Sequence, residues 1–240
     1  GDGCDHLTTI SAYTERRISG ALSPAARRLL LRLAPPVDTE RFRPSQRADG
    51  RVGVRCISVA RLIPQKGVTT LLRAWRTVID RAGRSEAAHE LIIVGDGPLR
   101  SRLERSVHKL RLSDSVRIVG AVPRSEVITH LQRADVFALP VRTRLAGLNP
   151  EGLCLAALEA AACGLPVIIG DSGGAPETIR DGETGFLVPS HDHRLLAARI
   201  GRLLDDPALA RDMGKRGRSH VMQHFGSDVA RATLCSALEL

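Results

Sequence analysis

Four charged residues have types and spacings that chemistry could use. Arg61 and Lys66 stand in the run Ala60-Arg61-Leu62-Ile63-Pro64-Gln65-Lys66-Gly67, and Glu151 and Glu159 enclose residues 152–158. Two cations beside a helix N-terminus suit a pyrophosphate, because fixed charge and helix dipole add. The same run also reads as a basic surface loop of an Arg-rich chain. Glu159 lies among Leu155, Ala156, Ala157, Leu158, Ala160, Ala161 and Ala162. A carboxylate in so apolar a helix needs a partner, since burying it unpaired is costly. The alternative is an amphipathic helix that turns it to solvent. A helix carrying both carboxylates would separate them by roughly 12 Å along its axis. That is about the reach from a ribose across a pyrophosphate to a sugar.

Gly152-Leu153-Cys154-Leu155 is expected to open that helix and to offer free backbone N–H groups to an anion. Cys154 there is either a thiol of lowered pKa or a small buried group filling a gap. Gly95-Asp96-Gly97-Pro98 is a tight strand-to-helix turn and no dinucleotide fingerprint, because G-x-G-x-x-G is absent. His191, His193, His220 and His224 do not form a metal pattern, so no metal site is expected. No G-x-S-x-G, Walker loop or Cys–His pairing stands out.

The elements that must position these residues follow from periodicity. From residue 52 onward, short β-rich runs alternate with longer helical ones. Strands are expected at 54–59, 91–94, 116–119, 136–139, 167–169 and 186–188. Helices are expected at 68–80, from 98 to about 112, at 124–132, from 152 to 163, after Gly173-Gly174-Ala175-Pro176, and over 192–240 with breaks at Pro207 and near Gly226. Strands apolar throughout and alternating with helices imply a parallel sheet covered on both faces. Right-handed crossovers make it doubly wound and α/β, with ligands beyond the carboxyl ends of the strands. Residues 60–67, 95–98, 120–123, 141–152 and 170–176 fall there.

Residues 1–45 differ. A strand at 7–10, a helix capped by Ser11 and a Pro-bearing stretch through Pro35, Pro36 and Pro44 cannot bury themselves. They read as the tail of a preceding domain plus a linker. Residues 46–225 are then the Rossmann-like domain and 226–240 a C-terminal helix. The chain lacks an initiator Met, which suggests a fragment.

Composition narrows the function classes. With 43% hydrophobic and 25% charged residues among 240, the chain is globular by composition. Aromatics are only 2%, so the core is aliphatic and little is left for stacking on bases. Lys+Arg of 35 against Asp+Glu of 26 leaves +9, carried mostly by Arg. That suits a polyanion, an anionic membrane or a phosphorylated ligand without choosing among them. No helix-turn-helix or RNA-binding signature accompanies the charge, so no nucleic-acid partner is expected. The cysteines (Cys4, Cys56, Cys154, Cys163, Cys235) are odd in number and form no C-x-x-C, which reads as free thiols in a reducing compartment. No apolar run reaches the ~18 residues of a spanning helix. Nor is there a secretory signal peptide. A cytoplasmic location is expected. Arg16, Arg17, Arg27, Arg28 and Arg32 could bring a peripheral contact with anionic lipid at the inner membrane face, though solvated helix faces are the plainer account.

Taken in order, Arg61 to Gly67, Ile93-Val94-Gly95-Asp96-Gly97-Pro98, Val119-Gly120, Pro150-Glu151-Gly152, Leu158-Glu159-Ala160-Ala161-Ala162-Cys163-Gly164-Leu165-Pro166, Gly173-Gly174-Ala175-Pro176-Glu177 and Asp181-Gly182-Glu183-Thr184-Gly185-Phe186-Leu187-Val188 resemble the C-terminal, donor-binding half of retaining glycosyltransferases of family 4, which have the GT-B fold. The resemblance covers about residues 52–225. Residues 5–11 and 37–42 resemble the end of that family's N-terminal domain and its interdomain linker. Arg142-Thr143-Arg144 and the run from Gly170 to Glu177 look most like enzymes that add mannose from GDP-mannose to phosphatidylinositol monomannoside.

The resemblance implies roles. Arg61 and Lys66 would neutralise the donor pyrophosphate, and Glu151 would hold hydroxyls of the donor hexose. Glu159 would bind the ribose hydroxyls, and Val119-Gly120 would meet the base. Backbone groups of Gly152, Leu153, Cys154 and Leu155 would meet the phosphates. It implies no metal and no cofactor beyond the nucleotide sugar. The acceptor site of such enzymes, for a lipid-linked acceptor, belongs to the N-terminal domain, of which this chain holds little. The family usually has Gly where Cys154 stands.

Overall fold

The computed structural model describes residues 4–45, 53–83, 89–144 and 147–238. The opening Gly1-Asp2-Gly3, the boundary expected at residue 46 and the last residues of the C-terminal segment lie outside them.

Residues 4–45 hold strand β1 (Leu7–Thr9), helices α1 (Ala12–Ser19) and α2 (Pro24–Arg28), and strand β2 (Leu30–Arg32). The main body follows as β3 (Arg55–Val59), α3 (Val68–Ala82), β4 (Glu90–Val94), α4 (Arg100–Lys109), β5 (Val116–Gly120), α5 (Arg124–Gln132), β6 (Val136–Leu139), α6 (Leu155–Ala162), β7 (Val167–Gly170), β8 (Gly185–Val188), α7 (His193–Asp205), α8 (Pro207–Phe225) and α9 (Ser227–Ala237).

The main sheet has six strands in the order β5-β4-β3-β6-β7-β8, each pair parallel. This is the expected doubly wound α/β arrangement. Its strand order reverses between β3 and β6, which makes the carboxyl ends of those two strands the crevice. Successive side chains on a strand point to opposite faces, so each strand feeds two cores. Leu91 and Ile93 of β4 enter one cluster with Leu71, Leu72 and Trp75 of α3 and Leu196 and Ile200 of α7. Ile92 and Val94 enter the other with Leu158 of α6 and Val221 of α8. Trp75 is fully buried, and its indole N–H donates to Ser115 Oγ at 3.2 Å. Burying so large an apolar body contributes on the order of 2–3 kcal/mol.

Several elements differ from the periodicity. α4 stops at Lys109 because Arg111 turns left-handed at φ 54. Helix α6 begins at Leu155, not Gly152, because the strand-end chain before it is pinned. The Glu151 carbonyl accepts from Gly174 N–H at 2.8 Å, and the Glu151 N–H reaches Ser172 Oγ at 3.3 Å. Cys154 then caps the helix at φ −86, ψ 87. Glu151 and Glu159 therefore do not share a helix, and the axial spacing expected of them does not apply. After Gly174 the chain makes only a single 3-10 turn, Ala175–Thr178, which Ile179 ends in extended backbone.

The N-terminal segment is more than one strand and helix. β2 pairs in parallel with β1, Leu7 opposite Leu30. Its docking is polar. The Glu177 carboxylate accepts from the N–H groups of Ala12 and Tyr13, both at 2.8 Å. A carboxylate from outside thus caps the positive end of α1, alongside Ser11 Oγ accepting from Thr14 N–H at 3.1 Å. Residues 37–42 are clasped by α8: Val37 N–H donates to Phe225 O at 2.8 Å, and the Arg218 guanidinium donates to the carbonyls of Phe42 and Thr39.

Glycines set how close the loops approach. Gly95 has φ +133, and a Cβ there would lie 1.9 Å from Ala60 O. Gly20, at φ −65, has nothing within 4 Å of its Cβ position. Gly95→Ala is expected to destabilise the chain by at least about 2 kcal/mol in urea denaturation. Gly20→Ala should stay within about 0.5 kcal/mol of the parent; equal effects would show that the contact does not constrain the fold.

Candidate functional site

The crevice between β3 and β6 holds a cavity of about 530 Å³. Arg61, Lys66, Asn149, Glu151, Leu153, Cys154 and Leu155 line it. The Lys66 side chain arrives by a short 3-10 turn, Pro64–Lys66, directly after β3. Gly67 closes that turn at φ +67, and a Cβ there would stand 1.9 Å from Pro140 O. Only glycine permits this approach without strain. From the other side, Arg142 Nε donates to Pro64 O at 2.7 Å and Arg142 N–H to Gln65 O at 2.8 Å. Burial, with Arg144 and Arg102 nearby, pulls the Arg142 guanidinium below its ordinary pKa.

Glu151 is placed by a different pair of loops. Gly173, at φ +60, lets its backbone lie against Glu151 O, where a Cβ would be 1.9 Å away. Thr143 Oγ1 and Ser172 Oγ bond at 2.9 Å and tie the loop after β6 to the loop after β7. The result is an ion pair across the crevice: Lys66 Nζ donates to Glu151 Oε2 at 2.7 Å, with 20% and 13% of the two side chains exposed. Pairing offsets the desolvation of each charge, and removing either would leave the other unmatched. Arg61 is exposed at the rim and, among the described residues, has no carboxylate partner. Two cations and one carboxylate leave the cavity net positive, as an anionic ligand requires.

The structure brings Arg61, Lys66, Glu151, Leu153, Cys154 and Leu155 to one cavity. Gly120, Gly152 and Glu159 lie outside its lining. Gly120 ends β5 at φ +94, and its carbonyl accepts from Gly95 N–H at 2.8 Å. Gly152 packs close to Ile10, whose Cδ1 would lie 3.0 Å from a Cβ. Among the N–H groups expected to be free here, that of Leu155 already donates to Leu153 O at 3.1 Å. Glu159 has the partner its apolar helix demanded: Arg124 Nη2 donates to Glu159 Oε1 at 2.7 Å. Burial raises the Glu159 pKa, and the Arg124 charge opposes the rise.

Arg124 was not singled out from the sequence, although a signal existed. It is the first residue of α5, where a cation opposes the helix dipole. A misplaced charge at a sheet's ligand edge points to a partner. Ser172 and Thr143 gave no comparable sign, because hydroxyls are common in loops. Among the described residues no group of three or more His, Cys, Asp or Glu side chains could hold a metal ion. His220 has both ring nitrogens buried without a hydrogen-bond partner, and burial pulls its pKa down to about 4. No helix among the described residues is long and apolar enough to cross a membrane.

Cys154 is the small buried group of the two readings. It is 2% exposed, and burial pushes its thiol up to about 12. At pH 8 the thiolate fraction is then about 10⁻⁴. Alkylation at pH 8 followed by peptide mapping should label the exposed Cys4 readily and leave Cys154, Cys163 and Cys56 unmodified until urea is added. Rapid labelling of Cys154 in the folded chain would contradict the burial.

Comparison with known proteins is consistent with this geometry. The family model of glycosyl transferases group 1 matches residues 41–220. A GDP-mannose-dependent alpha-(1-6)-phosphatidylinositol monomannoside mannosyltransferase of Mycolicibacterium smegmatis is 39% identical over 233 residues, covering 94% of this chain and 59% of that protein. Its monoacylated-substrate counterpart from Corynebacterium glutamicum is 38% identical over 251 aligned positions, covering 100% of this chain and 63% of that one. The chain thus spans about three fifths of the length of these curated relatives. Among solved structures, sucrose-phosphate synthase from Thermosynechococcus elongatus matches with a TM-score of 0.82 and 27% identity, over 99% of this chain and 58% of that one. Anabaena HepE in complex with UDP shares the fold at a TM-score of 0.84 and 19% identity, over 98% and 64%. The parallel sheet is thus the Rossmann-like arrangement of GT-B glycosyltransferases. With a family match that begins in the linker and runs through most of α8, the chain belongs to the glycosyl transferases of group 1.

Proposed function

We propose that the chain supplies the donor site of a retaining mannosyltransferase that moves mannose from GDP-mannose to a phosphatidylinositol mannoside. The observation that carries this reading is the net positive cavity at the β3/β6 switch point, where Lys66 and Glu151 meet at 2.7 Å beneath the exposed Arg61. The names of the relatives supply the donor and the acceptor class.

In this reading Arg61 and Lys66 take the pyrophosphate and stabilise its charge as it leaves. Preorganised cations aimed at a developing charge are worth far more in a partly enclosed site than in water. Lys66 has three donors, so it can keep Glu151 and still meet a phosphate oxygen. Glu151, held from behind by Ser172 and Gly174, presents its remaining lone pairs to hexose hydroxyls. Glu159 binds the ribose diol, Gly120 borders the base, and the chain at Gly152, Leu153 and Cys154 borders the phosphates. No residue here is assigned as a covalent nucleophile, in keeping with attack from the face the leaving group departs. In this reading the acceptor site belongs to the family's N-terminal domain, of which the chain holds little. Arg16, Arg17, Arg27 and Arg28 are exposed, which supports a peripheral contact with acidic lipid beside the plainer account of solvated helix faces, while Arg32 is paired with Glu15 at 2.9 Å.

Calorimetric titration of the 240-residue chain tests the reading. GDP-mannose is expected to bind, UDP-glucose to bind more weakly, and Lys66→Ala to lose roughly tenfold or more in affinity for GDP-mannose. No mannosyl transfer is expected without the rest of the protein. Preference for UDP-glucose would overturn the donor assignment, and absence of binding to either would overturn the claim that this chain holds a working donor site.

A further inference from the structure

We propose that Arg124 is a positioning residue for nucleotide recognition: it anchors one oxygen of Glu159 and turns the carboxylate so that the other oxygen is left for the ligand's ribose diol. This rests on the reading of Glu159 as the ribose-binding group.

The argument begins with the carboxylate. Glu159 is set in the run Leu155–Ala162, and only 12% of its side chain is exposed. Burial by itself favours the neutral acid, which accepts hydrogen bonds poorly and adds a donor of its own. Arg124 Nη2 lies 2.7 Å from Oε1 and opposes that drift. Among the described residues Oε2 receives no hydrogen bond. The pair is therefore asymmetric: one oxygen is anchored and the other is open. A vicinal diol offers two O–H donors, and a fixed, ionised oxygen acceptor is what such donors require.

Arg124 is itself held in place. Its guanidinium carbon sits 4.9 Å from the centroid of the Phe42 ring. Phe42 is 1% exposed, its N–H donates to Asp38 O at 2.9 Å, and its carbonyl accepts from Arg218 at 2.9 Å. The ring face is thus a fixed platform for the guanidinium, and cation–π contact orients it toward α6. Arg124 follows the end of β5 at Gly120 by four positions, so it stands at the ligand edge of the sheet. Meanwhile 60% of its side chain remains exposed. The cation is open to water while the carboxylate is buried, so the pair both spares Glu159 an unmatched burial and fixes its orientation.

The test compares GDP with 2′,3′-dideoxy-GDP by calorimetry on the parent chain, Arg124→Gln, Arg124→Lys and Glu159→Gln, with thermal melts of each. The parent is expected to prefer GDP by roughly tenfold. Arg124→Gln should lose that preference while keeping its affinity for the dideoxy nucleotide, with the melts reporting the cost of leaving Glu159 unpaired, and Arg124→Lys, which restores the charge, should recover most of it. If Arg124→Gln keeps the preference, Arg124 does not position Glu159. An equal loss of affinity for both nucleotides, preference intact, would instead make Arg124 a direct contact to base or phosphate and overturn the proposal. Preference retained by Glu159→Gln would bring down the ribose reading itself, independently of what Arg124 does.

Discussion

Backbone lies against backbone at the carboxyl edge of the sheet, and the rest of the site depends on that approach. Gly67 packs on Pro140, Gly95 on Ala60, Gly170 on Val141 and Gly173 on Glu151, each where a Cβ would come within 2.1 Å of a carbonyl oxygen. Such contacts leave no room for side chains, so the loops after β3, β4, β6 and β7 lock into one another. Lys66 and Glu151 are 85 positions apart in the chain yet reach 2.7 Å because the loops that carry them cannot stand further off. The two-sided burial of the sheet supplies the rigid base from which these loops project. Close packing in both cores means that a shift at one loop is resisted by the strand beneath it.

Electrostatic balance at the site follows from where each charge finds its partner. The Lys66–Glu151 pair sits in the cavity, and the Arg124–Glu159 pair sits outside its lining. Arg61 alone is left to the solvent-facing rim. Each carboxylate is therefore paired with one cation while keeping acceptor capacity for hydroxyl groups. The apolar Cys154 and Leu155 line the wall beside the Lys66–Glu151 pair.

The N-terminal segment and the linker join the body through few but well-directed bonds. Glu177 caps α1, and Arg218 gathers the carbonyls of Phe42, Thr39 and Ala162. Phe42 in turn supports Arg124. A single residue, Phe42, thus meets Arg218 of α8 through its carbonyl and Arg124, the cation beside Glu159, through its ring.

Much of this was written in the sequence. The runs apolar at every position announced strands buried on both faces, and their alternation with helices required a parallel, doubly wound sheet. Arg61 and Lys66 could be named because they follow a strand, where such a sheet exposes its ligand edge, and Glu151 because it ends a long loop at that edge and pairs by spacing with Glu159. The need of Glu159 for a partner was legible too, since a charge among alanines has no cheap burial. What only the tertiary structure decided was which groups meet. Helix α6 begins at Leu155 because Ser172 and Gly174, distant in the chain, hold Glu151 outside it, and no local propensity reports that. The strand β2 forms only against β1, and Arg124 becomes the partner of Glu159 only when α5 and α6 are brought side by side. Periodicity reads the direction in which each residue faces, whereas pairing depends on the distance between loops far apart in sequence, and that distance is set by the packing of the whole sheet.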